Sequence, residues 1–101
     1  MTVAELSAHA QQDLLAATRW IESDNPTAAQ GLIVAVRDAA ARIGRHPDIG
    51  RVRPEITAKD YRFLPLTGFP YVLVYDARRT PPLIARVLHG ARDLPDVLRD
   101  L

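Results

Sequence analysis

The clearest pattern in the chain lies between residues 29 and 43. Ala29, Leu32, Ile33, Val36, Ala40 and Ile43 repeat at steps of three and four, as one face of a helix does. Asn25 and Pro26 precede that face as a cap and a first-turn proline, and Gly44 follows it as a C-terminal stop. An earlier stripe, Ala10, Leu14, Ala17 and Ile21, predicts a first helix that starts after Ser7, whose hydroxyl suits an N-cap, and runs to about Glu22. Leu15 and Trp20 widen this stripe. The break at Ser23-Asp24-Asn25 is short, so the two helices are expected to form an antiparallel hairpin.

Elsewhere the period is that of strands. Residues 2–6 are partly β-branched and uninterrupted by Gly or Pro. Residues 61–66, 69–75 and 83–88 have strand character, and the run Tyr71-Val72-Leu73-Val74-Tyr75 is apolar enough for a strand covered on both faces. Turns fall at Thr67-Gly68 and across residues 76–82. Residues 46–60, punctuated by Pro47, Gly50 and Pro54, read as a polar connector. Leu94, Val97, Leu98 and Leu101 share a helical face, which predicts a short C-terminal helix at about 94–101. The expected fold is α+β: an N-terminal helical hairpin packed on a small antiparallel sheet, in the order β-α-α-β-β-β, as a single domain over residues 1–101.

Composition narrows the chemistry. A hydrophobic share of 48% in 101 residues suffices for one core without metal or disulfide, and with no cysteine there is no thiol chemistry. No secretory leader or membrane span is expected, and the cytoplasm fits best. Net charge is +1, but unevenly spread. Residues 1–41 hold two arginines against five acids; residues 42–62 hold six bases against three acids. Lys59 is the one lysine. The other bases are arginines, whose planar forks pair bidentately with carboxylate or phosphate.

His9, His46 and His89 have no metal-ligand spacing, and no glycine-rich phosphate loop is present, so neither metal nor cofactor is expected. Ser7 and Ser23 sit at helix boundaries, where capping accounts for them. The basic residues carry the remaining signal. Arg51, Arg53 and Lys59 lie in the connector, Arg62 opens the first strand after it, and Arg86 lies within the last strand, on the side of Ile84 and Leu88 by alternation. His89 and Arg92 follow. A concave sheet carrying Arg62, Arg86, His89 and Arg92 would offer cations and an imidazole to a phosphate. Alternatively, Arg86 pairs with Asp76, Glu55 or another acid, and His89 is a hydrogen-bonded strand end.

Several segments, in order, resemble the RelE/ParE superfamily of toxins: Leu6-Ser7, Ala10 and Asp13-Leu14; His46-Pro47-Asp48-Ile49-Gly50-Arg51-Val52-Arg53-Pro54-Glu55; Tyr61-Arg62-Phe63-Leu64-Pro65; the strand from Tyr71 to Tyr75; and Arg86-Val87-Leu88-His89-Gly90-Ala91-Arg92-Asp93-Leu94. The segment 46–55 resembles the ParE-like branch. The resemblance implies a type II toxin that forms a hetero-oligomer with a cognate antitoxin, whose acidic C-terminal segment would meet the arginines.

Two targets divide that superfamily. The ParE-like branch binds DNA gyrase and carries out no reaction on it. The RelE-like branch cleaves mRNA on the ribosome, and on that alternative Arg62, Arg86 and His89 would be catalytic. The chain lacks the lysine-rich set of that branch and has Gly90 after His89 where some of its nucleases have tyrosine. The resemblance therefore implies gyrase inhibition, with Arg51, Arg53, Arg62, Arg86, His89 and Arg92 as target- or antitoxin-binding residues. A non-toxic module that keeps the fold is the third alternative.

Overall fold

A computed structural model describes residues 2–93. The chain runs β1 (Glu5–Leu6), α1 (Ala8–Glu22), α2 (Pro26–Arg45), β2 (Arg51–Val52), β3 (Arg62–Pro65), β4 (Tyr71–Asp76) and β5 (Leu83–His89). The strands form one sheet in the order β1-β5-β4-β3-β2. This is the α+β arrangement expected, with two amendments. The β1–β5 pair is parallel, so the sheet is mixed rather than wholly antiparallel. Parallel neighbours require a long connection, and the helical hairpin lies in the one between these strands. The second amendment is β2, which the connector contributes. Both of its residues are exposed, so no alternation of apolar and polar positions marks it in the sequence.

The caps form as the residue types dictate. The Ser7 hydroxyl accepts from the Ala10 N–H at 3.0 Å, and the Asn25 side chain accepts from the Ala28 N–H at 3.1 Å. Gly44 does not end α2. The helix continues through it to Arg45, and a Cβ on Gly44 would run into the Thr2 carbonyl group. The glycine lets residues 2–4, which lead into β1, approach the helix, where the Ala4 N–H donates to the Ala40 carbonyl at 3.0 Å. Gly68, at φ 83°, supplies the left-handed residue of the β3–β4 turn.

The core lies between the hairpin and one face of the sheet. Leu32, Val36 and Ile43 of α2 meet Leu73, Tyr75, Ile84 and Val87 there. Fully buried aliphatics such as Leu32, Ile43, Leu73 and Ile84 each stabilise the fold by about 1.5–3 kcal/mol. On the other face Phe63, Val72, Val74 and Leu88 form a smaller cluster, covered by Ile56 of the connector and by Tyr61 just before β3. The run 71–75 is thus apolar because both faces of β4 are covered.

Two side-chain placements differ from expectation. Leu15 and Trp20 do not join the buried stripe of α1. They are 50% and 71% exposed, while Thr18 is buried and returns its hydroxyl to the Leu15 carbonyl. In β5, an irregularity opposite Val74 and Tyr75 breaks strict alternation: Ile84 pairs with Tyr75 and Arg86 with Val74, leaving Ala85 as the extra residue. Ile84 therefore joins the helix-side core, and Arg86 shares register with the other face. The helix expected over residues 94–101 lies outside the described residues.

Candidate functional site

Arg86 is committed to an internal partner. Its Nε and Nη2 donate to the two carboxylate oxygens of Asp13 at 2.7 and 3.0 Å, and one of those oxygens also accepts from the Val87 N–H at 3.0 Å. Both side chains are largely buried. The hydrogen bonds to Asp13 hold the Arg86 guanidinium above its ordinary pKa, against the opposing effect of burial. The acid expected as a partner was Asp76 or Glu55, or another. It is Asp13, in the second turn of α1; Asp76 holds Arg78 and Glu55 holds Arg53. Nearby, the Ser7 hydroxyl donates to the Ala85 carbonyl, and Asp93 accepts from the His89 N–H. Side chains thus satisfy much of the edge of β5 that β1 is too short to cover.

Arg62 is also engaged. Its Nη1 donates to the Gly50 carbonyl at 2.8 Å, and its Nη2 lies 3.4 Å from the Asp48 carboxylate. Tyr75 fastens the same connector from below: its hydroxyl donates to the Pro47 carbonyl at 2.6 Å and accepts from the Gly50 N–H at 2.8 Å. Burial raises the Tyr75 pKa above its ordinary value. Gly50 is required because a Cβ there would lie 2.6 Å from the Tyr75 ring. Arg62 and Tyr75 shape the base of the segment that carries Arg51 and Arg53.

The remaining residues are more open. Arg51 and Arg53 are exposed on and beside β2, flanking the half-exposed Val52. They rim a hollow floored by Phe63, Pro65 and Val72. Arg53 also pairs with Glu55 at 2.9 Å, and Glu55 is held below its ordinary pKa first by its backbone hydrogen bond and then by Arg53. A neighbouring hollow brings Arg53 together with Tyr71 and His89. The His89 ring meets Tyr71 edge-on at 5.4 Å, and its Nδ1 accepts from the Arg92 N–H at 3.2 Å. In the neutral ring the proton therefore sits on Nε2. Arg92 contacts Asp93 at 3.3 Å, and the two line a groove beside α1.

The sheet does not gather the expected set on one face. In register, Arg62 stands opposite Tyr75 and His89 opposite Tyr71, on the helix side, whereas Arg86 stands opposite Val74. Of the three residues expected to be catalytic on the nuclease alternative, Arg62 and Arg86 already donate to protein acceptors. Of the expected residues, Arg51 and Arg53 rim one hollow and Arg53 and His89 line the next, an arrangement suited to binding an anionic surface. Among the described residues no group of three or more His, Asp or Glu side chains gathers to hold a metal, and no helix is long and apolar enough to cross a membrane. Nothing in the sequence marks Asp13 as a site residue. Asp13 falls in the polar part of a helical pattern, and its role depends on a strand 73 residues away.

A profile of a known family, described as the ParE toxin of the type II toxin–antitoxin system parDE, matches residues 4–94. Among curated proteins, no sequence matches this chain. One solved structure, from the chromosomal ParDE toxin–antitoxin system of P. aeruginosa, shares the fold with a TM-score of 0.71. It is 19% identical, and the match covers 88% of this chain and 96% of that one.

Proposed function

The chain belongs to the ParE toxin family of type II toxin–antitoxin systems, and from that membership we propose that it inhibits DNA gyrase by binding and is neutralised by a cognate antitoxin. The commitment of Arg86 to Asp13 carries this choice over catalysis. A guanidinium held by a buried bidentate pair is poorly placed to meet a developing phosphorane. Arg62, bound to backbone carbonyls, adds to the case. The exposed Arg51 and Arg53, beside Val52, suit recognition of an acidic protein segment, and His89 and Arg92 extend that surface. Arg62 and Arg86 contribute by supporting it. The resulting complex is a cytoplasmic hetero-oligomer of toxin and antitoxin.

The test is a supercoiling assay with purified gyrase, run beside cleavage of mRNA on programmed ribosomes. Loss of supercoiling with intact mRNA, reversed by the antitoxin, is the expected result. Cleaved mRNA with normal supercoiling would overturn it and favour the RelE-like alternative, which draws on the hollow shared by Arg53, Tyr71 and His89. A chain that does neither, and does not arrest growth when expressed alone, would be the non-toxic module.

A further inference from the structure

Strand β2 has little of its own to hold it. It is two residues long, both exposed, and its ladder is limited to Arg51 opposite Phe63 and Val52 opposite Arg62. An edge strand with no buried face gains little from apolar burial and frays readily. Yet it bears the two exposed arginines. Arg51 lies in β2 and Arg53 just past it, two residues apart and so on one side, and both rim the hollow floored by Phe63, Pro65 and Val72.

The order of this strand comes from the turn immediately before it. Tyr75 and Arg62 stand opposite each other in the β3–β4 ladder, and both reach that turn. The Tyr75 hydroxyl donates to the Pro47 carbonyl and accepts from the Gly50 N–H. Arg62 Nη1 donates to the Gly50 carbonyl at 2.8 Å and to the Asp48 carbonyl at 3.4 Å. Both polar groups of the Gly50 backbone are therefore held by side chains of the sheet, and Arg51 is the next residue. Tyr75 is fully buried in the helix-side core, so the anchor is as rigid as the close-packed core around it. Downstream, the Arg53 carbonyl accepts from the Ile56 and Thr57 N–H groups, which closes a turn just past the second arginine.

We propose that Tyr75 and Arg62 are positioning residues for recognition: they fix the backbone at Gly50 so that Arg51 and Arg53 meet an acidic partner already spaced. The inference rests on the reading of those two arginines as the surface that binds the antitoxin. The physical gain is preorganisation. An arginine on a wandering strand bears the cost of ordering at the moment of binding, whereas one on a fixed strand has met that cost in folding. Arg62 acts here through its hydrogen bonds rather than its charge, and Tyr75 acts from within the core on a surface it does not reach.

A double-mutant cycle tests this. Affinity for the full-length cognate antitoxin is measured by calorimetry on the unaltered chain, on Tyr75→Phe, on Arg62→Lys, on Arg51→Ala/Arg53→Ala, and on the combinations. Each measurement is made well below the melting temperature, with circular dichroism checking the fold. Tyr75→Phe keeps the ring and gives up both hydrogen bonds. Arg62→Lys keeps the charge and gives up the planar fork. The expected loss is about tenfold for either variant in the unaltered background, and under about twofold once both arginines are alanine. A variant that merely loosened the fold would weaken binding equally in both backgrounds, and that result would overturn the proposal. So would full affinity in either variant when folded; if one does not fold, the other decides. Unchanged affinity in Arg51→Ala/Arg53→Ala would instead remove the recognition surface itself, and the proposal with it.

Discussion

Asp13 and Arg86 are 73 residues apart, yet one carboxylate grips the guanidinium through both oxygens and closes the Val87 N–H at the edge of the sheet. The pair ties the first helix to the last strand. Removing one member of a largely buried pair strands the other, so Asp13→Ala is expected to lower stability by about 3–5 kcal/mol in urea unfolding. The double variant Asp13→Ala/Arg86→Met is expected to recover part of that loss. Equal destabilisation by the single and double variants would show that packing, rather than the stranded charge, sets the cost.

Tyr75 predicts a pH dependence. Burial raises its folded pKa above the ordinary value of 10.0. The protonated hydroxyl is therefore favoured by folding. Its stabilisation is complete below the unfolded pKa and is lost as pH rises through the folded one. Melting temperature is expected to fall on the alkaline side of about 10. Tyr75→Phe should blunt this tyrosine-linked fall while costing about 1–3 kcal/mol at neutral pH, because the buried Gly50 N–H loses its acceptor. An alkaline limb identical in the variant would exclude Tyr75 as its source.

Two glycines of α2 should respond with opposite signs. Alanine is ordinarily better than glycine in a helix by about 1 kcal/mol. Gly44→Ala is expected to destabilise instead, since its Cβ would meet the backbone of Thr2 and Val3 and push β1 away from the helix. Gly31→Ala meets only the ring tip of Phe69, at 3.3 Å, and is expected to be neutral or stabilising. Thermal melts of the two variants decide the matter.

The exposed arginines carry the binding prediction. Arg51→Glu/Arg53→Glu is expected to leave the melting temperature nearly unchanged, because both side chains are exposed. Reversing both charges should weaken antitoxin binding at least about tenfold, or roughly 1.4 kcal/mol, in a calorimetric titration. The difference should shrink at high salt. Unchanged affinity would move the recognition surface elsewhere.

His89→Ala separates binding from chemistry. If the chain acts on gyrase without catalysis, growth arrest should persist in a folded His89→Ala variant, with at most a modest loss of potency. Complete loss of arrest together with loss of mRNA cleavage would identify the imidazole as a proton-transfer group.

The α+β class, the two helices, the caps at Ser7 and Asn25, and the covered strand Tyr71 to Tyr75 were all legible from sequence. Each depends on local periodicity or on a backbone group within four residues, and the helix and strand periods are distinct. The family resemblance was legible too, since it rests on ordered residue types. The parallel pairing of β1 with β5 was not, nor was strand β2: one joins residues nearly eighty positions apart, and the other has no buried face. The extra residue in β5 turned Ile84 and Arg86 to opposite faces, which no count by twos could reveal. Which arginines are engaged was likewise a tertiary matter. Arg86, Arg62, Arg51 and Arg53 are alike as residue types; only the folded chain sets Asp13 against the first and the carbonyls of the connector against the second, leaving the other two on the surface. Helix periodicity arises along the chain, whereas the pairing of a charge depends on which distant group folding brings within reach.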